Sequence, residues 1–123
     1  MAEALKSRVI VADDQEIIAD TLAIILNQSG FEATAVYSGE TAVETARRFH
    51  PNFLISDIVM QGMTGIDAAI RVRETDPDCR VILFSGQIDI EGLIQAAESN
   101  GHFFEVLDKP VQPEIFLQRL SAL

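Results

Sequence analysis

Short runs of apolar, largely β-branched residues alternate along this chain with longer segments whose apolar positions recur every three or four residues. The short runs are Arg8–Ala12 (RVIVA), Phe31–Tyr37 (FEATAVY), Phe53–Ser56 (FLIS), Val81–Phe84 (VILF) and Phe103–Leu107 (FFEVL). RVIVA, FLIS and VILF are almost unbroken by polar residues, which predicts strands covered on both faces. FEATAVY alternates and predicts an edge strand; Phe103 and Phe104 read as strand core. The longer segments predict helices over Gln15–Gln28, Gly39–Arg48, Thr64–Thr75, Asp89–Ser99 and Pro113–Leu123. In the first, Ile18, Leu22, Ile25 and Leu26 form one apolar stripe. Gly30 supplies a left-handed stop. Ser38 suits a helix start, and His50-Pro51, Asp76-Pro77 and Asn100-Gly101 mark helix ends. Pro113 is pre-set for a first turn.

The predicted order is five strand–helix pairs. Parallel strands need a crossover, usually a helix. Five units in 123 residues cannot close an eight-stranded barrel, which takes about 250 residues. The remaining solution is an open, doubly wound α/β sheet with helices on both faces. No internal repeat, low-complexity tract or linker interrupts the pattern, so one domain over residues 1–123 is expected.

Composition adds three exclusions. The chain is 48% hydrophobic, enough for a core without staples. Nineteen acidic residues against nine basic ones give a net charge of -10. That surface repels phosphate backbones and anionic lipid, so neither direct nucleic-acid binding nor membrane attachment is expected. The single cysteine, Cys79, excludes an internal disulfide and a cysteine-rich zinc site. MAEALKSR lacks the apolar run of a signal peptide, and no stretch reaches the roughly 20 apolar residues of a membrane span. A cytoplasmic location is the resulting expectation.

In open α/β sheets the chemistry gathers beyond the carboxyl ends of the strands. Asp13 and Asp14 follow the first run, Asp57 the third, Ser85 and Gly86 the fourth, and Lys109 and Pro110 the fifth. Three carboxylates, a hydroxyl and an ammonium thus leave one sheet edge. Carboxylates this close cannot all ionise without a counter-charge, and Mg²⁺ suits carboxylates that share it with waters and phosphate oxygens. The plainer reading, that Asp13 and Asp14 cap the first helix, needs only one acid. His50 and His102 read as solvated or helix-end residues, Cys79 as a small packed residue, and Met60 and Met63 as local packing or a partner contact.

Four segments carry a resemblance: VIVADD (9–14), LISDIVMQGMTG (54–65), FSG (84–86) and LDKP (107–110). Together they resemble the receiver domain of two-component response regulators, including the chemotaxis regulators, across essentially the whole chain. The resemblance implies a flavodoxin-like sheet of order 2-1-3-4-5. It implies that Asp57 accepts a phosphoryl group from the phosphohistidine of a sensor histidine kinase or phosphotransfer protein. Asp14, Asp57 and the Val59 backbone carbonyl would ligate Mg²⁺, with Asp13 holding it through water. Lys109 would pair with Asp57 and then with the phosphoryl group, Ser85 would donate its hydroxyl to that group, and Lys109-Pro110 would be cis. Such a chain is a switch in a phosphorelay that alters binding of a downstream effector. It catalyses its own phosphorylation and slow dephosphorylation rather than turning over a separate substrate.

Three positions depart from that family's usual pattern. Gln61 stands where proline is usual, which predicts a looser loop over Ile58–Gly65. Val106 stands where Tyr or Phe usually moves with the Ser/Thr, so the usual output coupling is not expected. Gly86 replaces a common alanine and keeps access open. Val59 and Gln87 would flank the hydrolytic water, and Val59 offers no polar group to hold it, which predicts slow dephosphorylation. Exposed Ile17, Thr21 and Ile24 would form a ridge that docks the donor's phosphohistidine helix. Weak homodimers through the fourth helix, fifth strand and fifth helix are a further expectation. The competing readings are a receiver-fold interaction module working without phosphorylation, a haloacid-dehalogenase-type phosphatase, and a flavodoxin-like nucleotide carrier. The phosphatase needs an acid where Val59 stands. The carrier needs a glycine-rich phosphate loop where this chain has Ala12-Asp13-Asp14-Gln15-Glu16.

Overall fold

The computed structural model describes residues 6–86 and 90–121. Strands β1 (Arg8–Ala12), β2 (Glu32–Val36), β3 (Phe53–Asp57), β4 (Arg80–Ser85) and β5 (Glu105–Asp108) alternate with helices α1 (Glu16–Gln28), α2 (Gly39–Phe49), α3 (Gly65–Thr75), α4 (Glu91–Ser99) and α5 (Pro113–Ser121). All pairings are parallel, in the order β2-β1-β3-β4-β5. β1 lies between β2 and β3, the reversal in strand order that opens a crevice at the carboxyl edge.

The two-residue period of each strand divides the core into two layers. Ile10, Leu54 and Leu83 face one layer, packed with Ala42 and Ala46 of α2 and Ala69 and Val72 of α3. Val9, Val11, Ile55 and Phe84 face the other, against Leu22 and Leu26 of α1 and Phe116 and Leu120 of α5. β3 is buried at every position, whereas β2 and β5 expose part of theirs as edge strands. Ser38 and Thr64 cap α2 and α3 by accepting from the backbone N–H of Thr41 and Asp67. Gly30 takes φ +97° after α1, the left-handed stop expected of it. His50 takes φ 51° at the end of α2, and its Nδ1 lies 3.0 Å from Asp76 Oδ1.

The structure corrects two details of packing. The core stripe of α1 is Ala19, Leu22, Ala23 and Leu26; Ile18 and Ile25, expected in the core, are only half-buried. Ile18 and Ile25 instead line a groove shared with Pro113 and Phe116 of α5. Phe103 and Phe104 are not strand core. β5 starts at Glu105, opposite Ile82, and residues 102–104 bring the chain from α4 to the sheet edge. Phe103 is 65% exposed, and Phe104 is half-buried under the Arg73 guanidinium, 4.9 Å from its ring centre, with His102 stacked on it. An apolar pair in such a connection has the composition of a strand without its partners.

Element ends differ by a residue or two from the sequence reading. α1 begins at Glu16, with Gln15 at its N-cap. α4 begins at Glu91 with Ile90 at its N-cap, while Asp89 lies outside the described residues. Among the described residues no helix is long and apolar enough to cross a membrane.

Candidate functional site

The register of the sheet assembles the acids. Ala12 of β1 pairs with Ser56 of β3, so Asp13 leaves β1 level with Asp57 at the end of β3. Oxygen atoms of Asp13, Asp14 and Asp57 all lie within 4.8 Å of one another. On the other side of β3, Ser85 pairs with Asp108, and Lys109 donates its backbone N–H to the Ser85 carbonyl at 2.9 Å. That anchors the start of the lysine arm beside the acids. Lys109 Nζ donates to Asp57 Oδ2 at 3.1 Å and lies 3.5 Å from Asp13 Oδ2, above the Phe84 ring at 5.0 Å from its centre. The Lys109-Pro110 peptide is cis.

Burial sharpens the electrostatics. Asp13 and Ser85 are buried, Asp57 is 7% exposed, and Asp14 sits at the exposed rim. Burial pushes the Asp57 carboxyl above the ordinary carboxylate range. Lys109 opposes that rise, the Asp13 charge adds to it, and a hydrogen bond from the Val59 backbone lowers it. Asp13 Oδ1 accepts from the Gln15 backbone N–H at 2.9 Å, so Asp13 does serve the start of α1. Among the described residues its Oδ2, however, is buried without a hydrogen bond and meets only the looser ion pair with Lys109. Among these residues one ammonium faces three carboxylates, and the unpaired buried oxygen of Asp13 is a fitting ligand for a further cation. An all-oxygen donor set of this kind fits a hard divalent cation such as Mg²⁺.

Hydrogen bonds tie the β3–α3 loop to the acidic trio and to α2. Gln61 donates its backbone N–H to Asp14 Oδ2 at 3.2 Å, and Met63 donates its N–H to Glu40 Oε2 at 3.1 Å. A non-proline residue at 61 brings a backbone amide, and that amide is used here as a donor. Gly65 N–H closes the loop onto the Ile58 carbonyl at 2.8 Å. A Cβ on Gly65 would collide with the Asp57 carbonyl oxygen, so the loop returns against the acidic strand end only with glycine there. Sequence reasoning missed Glu40 and the Gln61 amide. Glu40 has no signal beyond an acid in a first helical turn, and its target lies 23 residues away.

Val59 follows Asp57 by two residues and is 42% exposed. Gln87, expected beside it, lies outside the described residues. Val106 is half-buried on β5, packed on the α2–α3 layer, and the nearby Phe104 is held by Arg73 and His102. Cys79 is buried, which pushes its thiol up to about 12, far from a reactive thiolate. Ile17 and Ile24 are 77% and 57% exposed, and Thr21 is exposed with them. Ile17 also lips an apolar groove of about 570 Å³ between α1 and α5, lined by Ile18, Leu22, Ile25, Val111 and Phe116 and reaching Lys109.

With this geometry in view, comparisons with known proteins place the chain. The family model for the response regulator receiver domain matches residues 9–121. The chain is similar to the DNA-binding response regulator MtrA of Mycobacterium tuberculosis, at 26% identity over 120 residues, covering 98% of this chain and 51% of that protein. The chain thus spans about half the length of the first curated relatives it matches. It is also similar to the chemotaxis protein CheY of Thermotoga maritima, at 30% identity over 117 residues, covering 94% and 96% of the two chains. In fold it is similar to a CheY-like receiver domain protein from Methanospirillum hungatei, with a TM-score of 0.83 at 21% identity over 94% of this chain and 91% of that one.

Proposed function

Because the chain belongs to the response regulator receiver domain family, we propose that it is a phosphorylation-controlled switch whose phosphoacceptor is Asp57. The observation that carries this reading is the Lys109 ammonium, 3.1 Å from the Asp57 carboxylate, inside a trio of acids at the crevice of the sheet. In transfer from a phosphohistidine, an Asp57 oxygen forms the new P–O bond as the donor's P–N bond breaks and its electron pair returns to the imidazole nitrogen. Lys109 shifts its ion pair to the phosphoryl group, and the Ser85 hydroxyl donates to another phosphoryl oxygen. A divalent cation held by Asp13, Asp14, Asp57 and the Val59 carbonyl would supply the charge that offsets the three phosphoryl oxygens. The protein's work is positioning and charge neutralisation.

The donor reaches Asp57 from the open edge of the sheet. The exposed Ile17–Ile24 ridge and the adjoining α1–α5 groove support docking of an apolar helix face there. Phosphorylation would then shift a two-state equilibrium read by a downstream partner. With Val106 in place of an aromatic, that shift runs through Ser85 and the loops rather than through a moving ring on β5. The test is incubation with Mg²⁺ and acetyl phosphate, read by intact mass. An adduct of about 80 Da, the mass of one phosphoryl group, should form on the wild type and fail to form on Asp57→Asn. A folded, Mg²⁺-binding protein that takes no adduct would instead be a receiver-fold interaction module.

A further inference from the structure

Two amides of the β3–α3 loop reach carboxylates on other elements. Gln61 N–H donates to Asp14 Oδ2, and Met63 N–H donates to Glu40 Oε2. Gly62 lies between them at φ +77°, where a Cβ would stand 2.7 Å from Glu40 Oε2. The position of the Gln61 amide is therefore set from both sides, by the Glu40 tether beyond it and by the end of β3 before it. Asp14 is the exposed member of the trio, and its side chain has rotamer freedom that the buried Asp13 lacks. Among the described residues, the Gln61 amide is the donor that reaches the Asp14 carboxylate.

We propose that the Gln61 backbone amide is a positioning group for the divalent cation: it holds one oxygen of Asp14 and leaves the other directed at the site. The inference rests on the reading of Asp13, Asp14 and Asp57 as the cation site. The proline usual at this position in the receivers that the chain resembles has no N–H and could not do this. The departure at 61 thus exchanges backbone rigidity for a hydrogen bond to a ligand. Glu40 acts one step further out, by fixing the loop that carries the amide.

The experiment compares Mg²⁺ affinity in the wild type, Gln61→Pro and Gln61→Ala, by NMR titration at fixed ionic strength. Alanine keeps the amide and removes the side chain; proline removes the donor. Gln61→Pro should bind Mg²⁺ at least about tenfold more weakly, the effect of one hydrogen bond to a charged acceptor. Gln61→Ala should stay within about twofold of the wild type, since it keeps that hydrogen bond. Equal binding in all three, tighter binding by Gln61→Pro, or equal weakening in both variants would each overturn the inference while leaving the cation site intact. Should the wild type bind no Mg²⁺, the reading of the site falls and the inference with it. A second measurement does not depend on how Gln61→Pro folds. In metal-free protein the Gln61 amide proton should move upfield in Asp14→Ala, and an unmoved resonance overturns the proposal.

Discussion

Asp57→Asn should make the metal-free protein more stable at neutral pH. The substitution keeps the shape of the side chain and removes one of three clustered charges. With an effective dielectric of about 20, two like charges within 4.8 Å repel by at least about 3.5 kcal/mol. Asp57 therefore meets at least about 3.5 kcal/mol of repulsion from the buried Asp13, against about 5 kcal/mol of attraction to Lys109 at 3.1 Å. Desolvation of the buried Asp57 carboxylate is the largest cause of its raised pKa and turns this balance against the charge, while the exposed Asp14 adds only a screened share. A net gain of about 1–2 kcal/mol on neutralisation follows, or about 3–8 °C in Tm for a domain of this size. The pH dependence has a definite sign. The Asp57 carboxyl is raised above its ordinary 3.8, so the folded state holds that proton more tightly than the unfolded chain. The wild type carries no penalty below 3.8; the penalty grows as pH rises through the ordinary and then the raised value, and is complete above the latter. Thermal melts in EDTA across pH 4.5–8 should show the advantage of Asp57→Asn widening with pH. Millimolar Mg²⁺ should narrow it by stabilising the wild type. An Asn variant less stable than the wild type at pH 7 in EDTA would refute the reasoning, as would an advantage indifferent to both pH and Mg²⁺.

Gly65→Ala should cost about 1–3 kcal/mol, read by denaturant unfolding, because its Cβ would collide with the backbone carbonyl of Asp57 and the loop must move away. Its metal and phosphoryl chemistry should weaken in parallel, and a variant of wild-type stability would show that the loop is not pinned there. Val59→Asn should shorten the lifetime of the phosphorylated protein by supplying a polar group beside Asp57; the decay of the adduct mass measures it, and an unchanged decay argues against the reading. Ile17→Ala with Ile24→Ala should slow transfer from a cognate kinase while leaving the rate from acetyl phosphate unchanged, since both side chains are exposed on α1 and neither supports the core. Equal slowing with both donors would place their effect on the site rather than on docking.

Much of this architecture is legible along the chain because its signals are local. Unbroken runs such as Phe53–Ser56 mark strands buried on both sides, and β3 is buried at every position. The alternating FEATAVY run forms the edge strand β2. The acids, the hydroxyl and the lysine are recognisable because each follows a strand, and a parallel sheet delivers all its carboxyl ends to one edge. Where a signal needs a partner, the sequence falls short. Phe103 and Phe104 have strand composition, but only the pairing of Glu105 with Ile82 shows where β5 begins. Ile18 and Ile25 fit an apolar stripe, but only the packing of α1 on the sheet shows that Ala19, Leu22, Ala23 and Leu26 form the core face.

Periodicity and chain position carry the order of elements, the class of sheet and the residues that meet at its edge. How those residues are poised came from packing. It set the 3.1 Å contact of Lys109 with Asp57, the orphaned oxygen of Asp13, and the tethers from Gln61 to Asp14 and from Met63 to Glu40. Each of these joins groups from different elements, some more than 40 residues apart. Their energies depend on distance and burial, quantities that exist only once the two layers of the core have packed the sheet and closed the crevice around the acids.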